Sequence, residues 1–265
     1  MRPRLKEQAD IIIKDFIRQK VEESKSDGVV VGLSGGIDSA VVSKLCADAV
    51  GGKRVLNIFM PSSESSKSDR KDAEDFAKEF GMEFKELSIV PVVEAYSRIL
   101  PSPDRKDLMG NVMTRARMII LFHHANLLNR VVMGTSNKSE LLIGYFTKFG
   151  DGGADFCPIG DLYKTVRQLA AKIGIADRLI EKVPSAGLWS GQTDEGEMGI
   201  TYEELDTVLH GIELGLAEDE IVKKTGVSRK LVTMVMTKHL CSVHKRKMPL
   251  IPKIGLRTIG LDWRE

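Results

Sequence analysis

The chain is organised around one segment, Val29-Val30-Val31-Gly32-Leu33-Ser34-Gly35-Gly36-Ile37-Asp38-Ser39. Three consecutive β-branched residues are typical of a short buried strand. Ser34-Gly35-Gly36 ends the extended chain, and Asp38-Ser39 begins a helix that runs from Ala40 to about Val50. A helix N-terminus exposes unpaired N–H groups and partial positive charge, and glycine lets the backbone approach a ligand closely. The stretch therefore predicts an anion site of the kind that binds phosphate.

Two common phosphate loops do not fit this stretch. It lacks the Gly-Lys-Ser/Thr end of a Walker A loop, and it lacks the Gly-x-Gly-x-x-Gly pattern of dinucleotide-binding folds. Ser-Gly-Gly-Ile-Asp-Ser resembles the PP-loop of ATP pyrophosphatases, which cleave ATP to AMP and pyrophosphate. The alternative is a strand–helix turn with ordinary glycines.

Composition excludes several classes of protein. The 265 residues include 39 basic and 37 acidic side chains, so the net charge of +2 gives no broad positive field and predicts no nucleic-acid partner. Cys46, Cys157 and Cys241 lie far apart and form neither a zinc motif nor a disulfide scaffold, which fits a reduced cytoplasm. No apolar run approaches the roughly 18 residues of a membrane span, and no signal core begins the chain. We expect a cytoplasmic protein without a membrane partner.

Strands and helices alternate through the first 135 residues. This alternation predicts an α/β fold, a Rossmann-like doubly wound parallel sheet with helices on both faces and a helical C-terminal part. Besides the first strand, strands are expected at 54–60, 83–89 and 130–134, helices at 4–24, 66–80, 91–100 and 107–128, and a surface turn at Pro101-Ser102-Pro103.

The polar loops that follow three of these strands should meet. Ligands of parallel sheets bind beyond the carboxyl ends of the strands. We therefore expect the hydroxyl-rich loops 34–39, 62–66 and 135–140 to share one rim, as a nucleotide pocket requires.

The second half of the chain is mostly helical. One domain is predicted over 1–265, with an α/β core of about 1–180, a lid at 184–199, and C-terminal helices and a basic surface tail at 200–265. The lid segment is rich in glycine and acidic residues, aperiodic and poor in apolar anchors, so we expect it to be mobile in the free protein. Helices are expected at 161–173, carrying Lys164 and Arg167, and at 201–209, 218–225 and 228–240.

Two carboxylates indicate a metal ion. Asp38 lies where phosphate oxygens would approach, and a carboxylate there repels phosphate unless a cation such as Mg²⁺ lies between them. Glu140 lies on the same rim and is the second candidate ligand. Helix capping by Asp38 and a solvated helical position for Glu140 are the alternatives. Arg115 and Arg117 diverge on a helix, so at most one of them should face a given pocket.

The chain as a whole resembles the ammonia-dependent NAD synthetases, a family of the PP-loop ATP pyrophosphatase superfamily. The resemblance covers nearly the full length and depends on several motifs in order and spacing. These are Gly-Leu-Ser-Gly-Gly-Ile-Asp-Ser (32–39), Met-Pro-Ser-Ser (60–63), Asn-Val-Met-Thr-Arg-Ala-Arg-Met (111–118), Gly-Thr-Ser-Asn-Lys-Ser-Glu (134–140), Tyr-Phe-Thr-Lys-Phe-Gly-Asp (145–151), Asp155 with Pro-Ile-Gly-Asp-Leu-Tyr-Lys (158–164), Gln-Thr-Asp-Glu (192–195) and His-Lys-Arg (244–246).

The resemblance implies that deamido-NAD, ATP and ammonia give NAD, AMP and diphosphate through an adenylated intermediate, the last step of NAD biosynthesis. It implies a homodimer with active sites at the subunit interface, Mg²⁺ on Asp38 and Glu140, and catalytic roles for Asp38, Glu140, Lys164 and Asp155. Asp155 is the candidate acceptor of the proton that ammonium must lose. ATP contacts are implied for Gly32, Leu33, Ser34, Gly35, Gly36, Ile37, Asp38, Ser39, Thr135, Lys164 and Ser185, and deamido-NAD contacts for Arg115, Lys148, Asp155, His244 and Lys245.

Two other functions remain open from the sequence. Another PP-loop amidotransferase or ligase would share the loop. Residues 218–240 have the shape of a helix-turn-helix and are followed by His-Lys-Arg-Lys, which is the pattern of a nucleic-acid-binding module. We expect free ammonia as the nitrogen donor, because the 265 residues leave no room for a glutaminase unit.

Overall fold

The computed structural model describes residues 2–101 and 105–259, so most of the expected turn at 101–103 and the end of the tail lie outside the described residues. Its sheet has four parallel strands in the order β3-β2-β1-β4. The strands are β1 (Gly28–Gly32), β2 (Val55–Phe59), β3 (Glu83–Glu86) and β4 (Arg130–Met133). Val30 of β1 pairs with Leu56 of β2 and with Val132 of β4.

Helices cover both faces of the sheet, so the predicted doubly wound fold is confirmed. One face packs against α1 (Ala9–Glu23), α2 (Ile37–Val50) and α3 (Lys67–Glu79), with Val29 and Val31 pointing into this core. The other face carries Val30, Ile58 and Val132 and packs against α4 (Val90–Ser97) and α5 (Lys106–Leu127). Alternate residues of β1 thus enter opposite cores, as the pleat requires.

A third core joins the C-terminal helices to α6 (Lys138–Ile143), which follows β4. It is built by α9 (Asp194–Met198), α10 (Tyr202–Glu213), α11 (Glu218–Thr225) and α12 (Arg229–Cys241). The apolar side of α12 buries Val232 and Val235 in this core. The α11–α12 pair therefore has a packing role that accounts for its helix-turn-helix shape. Within residues 2–101 and 105–259 we find no helix of the length and apolarity that crossing a membrane demands.

The predicted helix over 161–173 is wrong in its first turn. Here α7 begins only at Val166 and runs to Lys172, and the short helix α8 (Asp177–Ile180) follows. Lys164 lies before α7 because its backbone N–H donates to Asp206 Oδ2 at 2.8 Å. The segment before it forms turns with i→i+3 bonds, such as Leu162 N–H to the carbonyl of Ile159. A tertiary hydrogen bond thus competes with helix extension.

Candidate active site

From β1 the chain adds β2 and β3 on one side of the sheet and then β4 on the other side, so the strand order changes direction between β1 and β4. The loops after these two strands meet there. Such a crevice is where open α/β sheets bind ligands. Two adjoining cavities of about 310 and 320 Å³ lie at this point, and Ser34 and Thr135 line both. Ser65 lines the second cavity. The prediction that the three polar loops share a rim is therefore confirmed.

The predicted phosphate loop divides between these cavities. Ser34 and Gly36 line both, Gly32 and Leu33 line the second, and Ile37, Asp38 and Ser39 line the first. Ser39 Oγ donates to the carbonyl of Gly36 at 2.9 Å and accepts from Ser34 N–H at 3.2 Å, which closes the turn. The helix α2 begins after Gly36 with no side-chain cap, so its first N–H groups are left for a ligand.

Two carboxylates and one ammonium group form a charged cluster at the base of the first cavity. Lys164 Nζ donates to Asp38 Oδ2 at 2.8 Å and lies 4.0 Å from Glu140 Oε1. Burial and the nearby charge of Asp38 raise the pKa of Glu140. Burial lowers the pKa of Lys164, but Asp38 and Glu140 more than offset this and raise it overall. Lys164 lines neither cavity and acts as a counter-charge behind Asp38.

Asp38 and Glu140 fit a magnesium ion. Asp38 Oδ1 is buried and has no hydrogen-bond partner, which is costly unless a cation or ligand reaches it. Capping interactions hold Glu140, which accepts from Asn137 N–H at 3.2 Å and from Asn137 Nδ2 at 2.7 Å. In the described part of the chain no three His, Cys, Asp or Glu side chains converge as a metal cage. The pair therefore suits Mg²⁺, which binds through one or two carboxylates and completes its shell with phosphate and water.

A tyrosine joins Glu140 to a third carboxylate. The hydroxyl of Tyr202 lies 3.2 Å from Glu140 Oε1 and 3.0 Å from Asp194 Oδ2. Asp194 lines the first cavity, whereas Glu195 binds the backbone N–H of Tyr202 and lines neither cavity. No sequence pattern indicates this role for Tyr202, because it occupies a buried position of α10 and differs from an apolar core residue only by its hydroxyl.

Four of the five residues predicted to contact deamido-NAD lie together beside the first cavity. Arg115 Nη2 donates to the carbonyl of Lys148 at 3.3 Å, and Lys148 Nζ donates to the carbonyl of His244 at 2.9 Å. Lys245 lines the first cavity and donates to the carbonyls of Gly144 and Phe146 at 2.8 Å each. These residues form a basic group that is suited to phosphates of a dinucleotide.

The fifth residue, Asp155, lies apart from this group. Its carboxylate accepts from Val132 N–H at 2.7 Å, at the edge of β4, and it lines neither cavity. Its catalytic and binding roles stay predictions.

Of the two arginines on α5, Arg117 alone lines a cavity, as the helical spacing predicted. Its Nε donates to the carbonyl of Met60 at 3.1 Å in the wall of the second cavity. Burial lowers the pKa of Arg117 to about 10. Arg115 is exposed, on the outer side of the helix.

The segment 184–199, which is predicted to be poor in apolar anchors, is held to the rest of the fold by Leu188 and Met198. Leu188 packs against α5, where a Cβ on Gly110 would lie 2.9 Å from its Cδ1, and Met198 is buried in the third core. Ser185, which lines both cavities, donates through its Oγ to the carbonyl of Gln192 at 2.7 Å. The segment thus forms a wall of both cavities. Its mobility in the free protein stays a prediction.

Comparison with known proteins identifies the family of this chain. The family model for NAD synthase matches residues 11–249. The NH(3)-dependent NAD(+) synthetase of Methanococcoides burtonii is 46% identical over 247 residues, which cover 92% of this chain and 94% of that protein. Among solved structures, the NMN synthetase of Francisella tularensis aligns with a TM-score of 0.83 at 35% identity, covering 93% of this chain and 98% of that one. The NH3-dependent NAD synthetase of Campylobacter jejuni aligns with a TM-score of 0.79 at 33% identity over 93% of this chain and 98% of that one. This chain belongs to the NAD synthase family.

Proposed function

We propose that this chain is a ligase that amidates deamido-NAD with ammonia at the expense of ATP, giving NAD, AMP and diphosphate. One observation carries the proposal: the phosphate loop, Asp38 and Glu140 meet at one cavity, in a chain whose relatives at 46% identity are named NH(3)-dependent NAD(+) synthetases. The charged cluster distinguishes this site from an ordinary strand–helix turn.

The second cavity suits the adenine ring of ATP, and the first suits its phosphates. The second cavity has apolar walls that include Ile58, Met60 and Leu121, which can hold an adenine ring. Ser34 and Gly36 lie where the cavities join, so the phosphates would reach the N-terminus of α2 and the first cavity. Asp38 and Glu140 would hold Mg²⁺ there, and the ion would neutralise charge on the phosphates.

The chemistry requires positioning more than a protein nucleophile. A carboxylate is a poor acyl donor because its leaving group would be oxide. Attack of the nicotinate carboxylate oxygen on the α-phosphorus breaks the bond to diphosphate and forms an acyl adenylate. Ammonia then forms the C–N bond, AMP leaves with the carboxylate oxygen, and one proton is lost. The loop N–H groups would stabilise the negative charge that develops, and Lys164 would act indirectly as the counter-charge behind Asp38.

The basic group of Arg115, Lys148, His244 and Lys245 is proposed to bind deamido-NAD. Phe149, which is 54% exposed beside Lys148 Nζ, adds an aromatic surface at the same place. Such an open basic surface agrees with a homodimer in which the partner completes the substrate site. We further propose a cytoplasmic location and no nucleic-acid ligand.

A mononucleotide substrate is the second candidate. The Francisella tularensis relative, at 35% identity, is named NMN synthetase, and the same amidation of the corresponding mononucleotide acid would form NMN. The charged cluster would act identically on both acids. Only the basic group, which lies outside the cluster, would distinguish them.

An end-point assay tests the proposal. Purified protein is incubated with Mg-ATP, ammonium and either deamido-NAD or nicotinate mononucleotide, and each amide product is quantified by chromatography. We expect NAD from deamido-NAD, with equimolar AMP and diphosphate. Formation of NMN alone would favour the second candidate, and no amide product from either acid would contradict the proposed chemistry.

A further inference from the structure

Lys182 is a positively charged residue at the phosphate loop to which the sequence assigns no role. It lies two residues after α8 and lines both cavities. Its Nζ donates to the carbonyl of Gly35 at 2.9 Å, to Asp69 Oδ1 at 2.6 Å and to Asp72 Oδ2 at 2.9 Å. One ammonium group therefore joins the phosphate loop to the first turns of α3.

These three contacts use the whole bonding capacity of the side chain. An ammonium group has three N–H donors and no acceptor. Lys164 differs, because its Nζ donates to Asp38 at 2.8 Å while Glu140 lies at 4.0 Å. The saturated donors of Lys182 suit a residue that holds the protein rather than a phosphate.

Lys182 holds the peptide between Gly35 and Gly36. The carbonyl of this peptide accepts from Lys182, and its N–H donates to Ser34 Oγ at 3.3 Å. Gly35 has a φ of 79°, and a Cβ on it would lie 2.5 Å from the carbonyl oxygen of Asp69. The loop is thus packed directly on α3. The orientation of this one peptide fixes Ser34 and Gly36, which line both cavities.

We propose that Lys182 is a positioning residue that clamps the Gly35–Gly36 peptide to the start of α3 and so preorganises the phosphate-binding loop. Donors that are fixed before a ligand arrives bind it with a smaller loss of conformational entropy. A measurement of ATP-analogue affinity rests on the proposed ATP site, whereas amide hydrogen exchange of the loop needs no ligand.

The test compares Lys182→Met with Lys172→Met. Lys172 is a matched control because its Nζ also donates to a backbone carbonyl, that of Glu7, and to a carboxylate, Asp10 Oδ1, while it lines neither cavity. Amide hydrogen exchange of residues 33–37 is measured in the free proteins by mass spectrometry. Calorimetry then measures the affinity for a nonhydrolysable ATP analogue and for adenosine.

We expect residues 33–37 to exchange about tenfold faster in Lys182→Met than in Lys172→Met, because a charged hydrogen bond that restrains the loop is lost. The affinity for the ATP analogue should fall about tenfold, and that for adenosine should stay unchanged. Equal exchange in the two variants would overturn the inference, as would equal loss of affinity for analogue and adenosine. A wild-type protein that binds no ATP analogue would instead contradict the proposed function.

Asp72→Asn replaces Lys182→Met as the test variant if Lys182→Met fails to fold. It keeps Lys182 and its bond to Gly35 but removes one carboxylate anchor, and Asp72 lines neither cavity. Exchange of residues 33–37 should still rise, by less than in Lys182→Met. Exchange at the wild-type rate would overturn the inference.

Discussion

At the scale of single residues, the environment of Asp38 favours the proposed role of metal ligand over that of a helix cap. It lies in the first turn of α2, whose N-cap is Gly36 and has no side-chain cap. Its Oδ1 is buried without a hydrogen-bond partner, although Lys164 binds the other oxygen. A carboxylate held in this way is available to a cation that arrives with ATP.

We predict that Asp38→Asn removes most activity and leaves the fold intact. The amide keeps the size of the side chain but removes the charge that Mg²⁺ requires, so kcat should fall by about 100-fold or more. Glu140→Gln should act in the same direction and be partly rescued by raised Mg²⁺. Steady-state kinetics of both variants at a series of magnesium concentrations measures the loss of activity and the rescue. Thermal unfolding shows whether each variant keeps its fold. Near-normal turnover of Asp38→Asn would show that the charge has no catalytic role.

Asp206 supplies a prediction about stability and pH. It is buried, accepts from Ser139 Oγ and from Lys164 N–H, and burial raises its pKa to about 6. Because the folded pKa lies above the unfolded value of about 3.9, the neutral form stabilises the fold at low pH, and this contribution is lost as pH rises through about 6. Asp206→Asn keeps one acceptor for Lys164 N–H and a donor toward Ser139, and does not titrate.

The stability of Asp206→Asn relative to wild type should therefore increase between pH 4.5 and pH 7, by about 2 kcal/mol. Urea unfolding of both proteins at the two pH values measures this difference, in which the titration of other groups cancels. A difference between the two proteins that is the same at both pH values would contradict the prediction.

The acceptor of the ammonium proton is a further question at this scale. Asp155 was predicted from the resemblance, but Asp155 lines neither cavity, whereas Asp194 is one of the carboxylates that line the first. If Asp155 takes the proton, Asp155→Asn should lower kcat most at neutral pH and recover as pH rises toward the pKa of ammonium. If Asp194 takes it, Asp194→Asn should show this profile and Asp155→Asn should not. Pre-steady-state rates across pH 6.5–9.5, with saturating ammonium, would separate the two.

At the scale of elements, the segment 184–199 has buried contacts that composition did not reveal. An acyl adenylate is destroyed by water, so the site must exclude solvent during the reaction. The segment lies over both cavities through Ser185 and Ala186, and Leu188 contacts α5. These few contacts can be broken and remade without unfolding a sheet or a long helix.

We predict that Mg-ATP analogue plus deamido-NAD protects this segment from proteolysis. Cleavage near residues 187–197 should be fast in the free protein and slow in the complex, because closure over the ligands removes the open conformations that a protease needs. Limited proteolysis followed by mass spectrometry measures both rates, and cleavage in the tail beyond residue 247 is the internal control. Equal cleavage rates in the free protein and in the complex would show that the segment does not move when the ligands bind.

Local patterns predicted the elements that depend on neighbours in sequence, and failed where distant contacts decide. The strand before Ser34 follows from three valines, and the loop from its glycines. Lys164 leaves the expected helix because a hydrogen bond to Asp206, 42 residues away, takes its N–H. Tyr202 reaches Glu140 across 62 residues. No periodicity in either segment contains that information.

At the scale of the whole molecule, the doubly wound sheet brings together groups that are far apart in the chain. β1 and β4 are neighbours, although about a hundred residues separate them, and the loops after them carry Asp38 and Glu140. The C-terminal helices α9 and α10 add Asp194 and Tyr202 to the same site, and Lys245, which follows α12, lines its first cavity. We propose that this assembly activates the substrate carboxylate by adenylation before ammonia attacks.

Transfer of oxygen-18 from the substrate carboxylate shows whether adenylation precedes the attack of ammonia. Deamido-NAD labelled in both carboxylate oxygens is converted with unlabelled Mg-ATP and ammonium, and the products are analysed by mass spectrometry. Attack on the α-phosphorus followed by aminolysis predicts one labelled oxygen in the phosphate of AMP, one in the carboxamide of NAD and none in diphosphate. Label that appears in diphosphate or in inorganic phosphate, with unlabelled AMP, would contradict the adenylation mechanism.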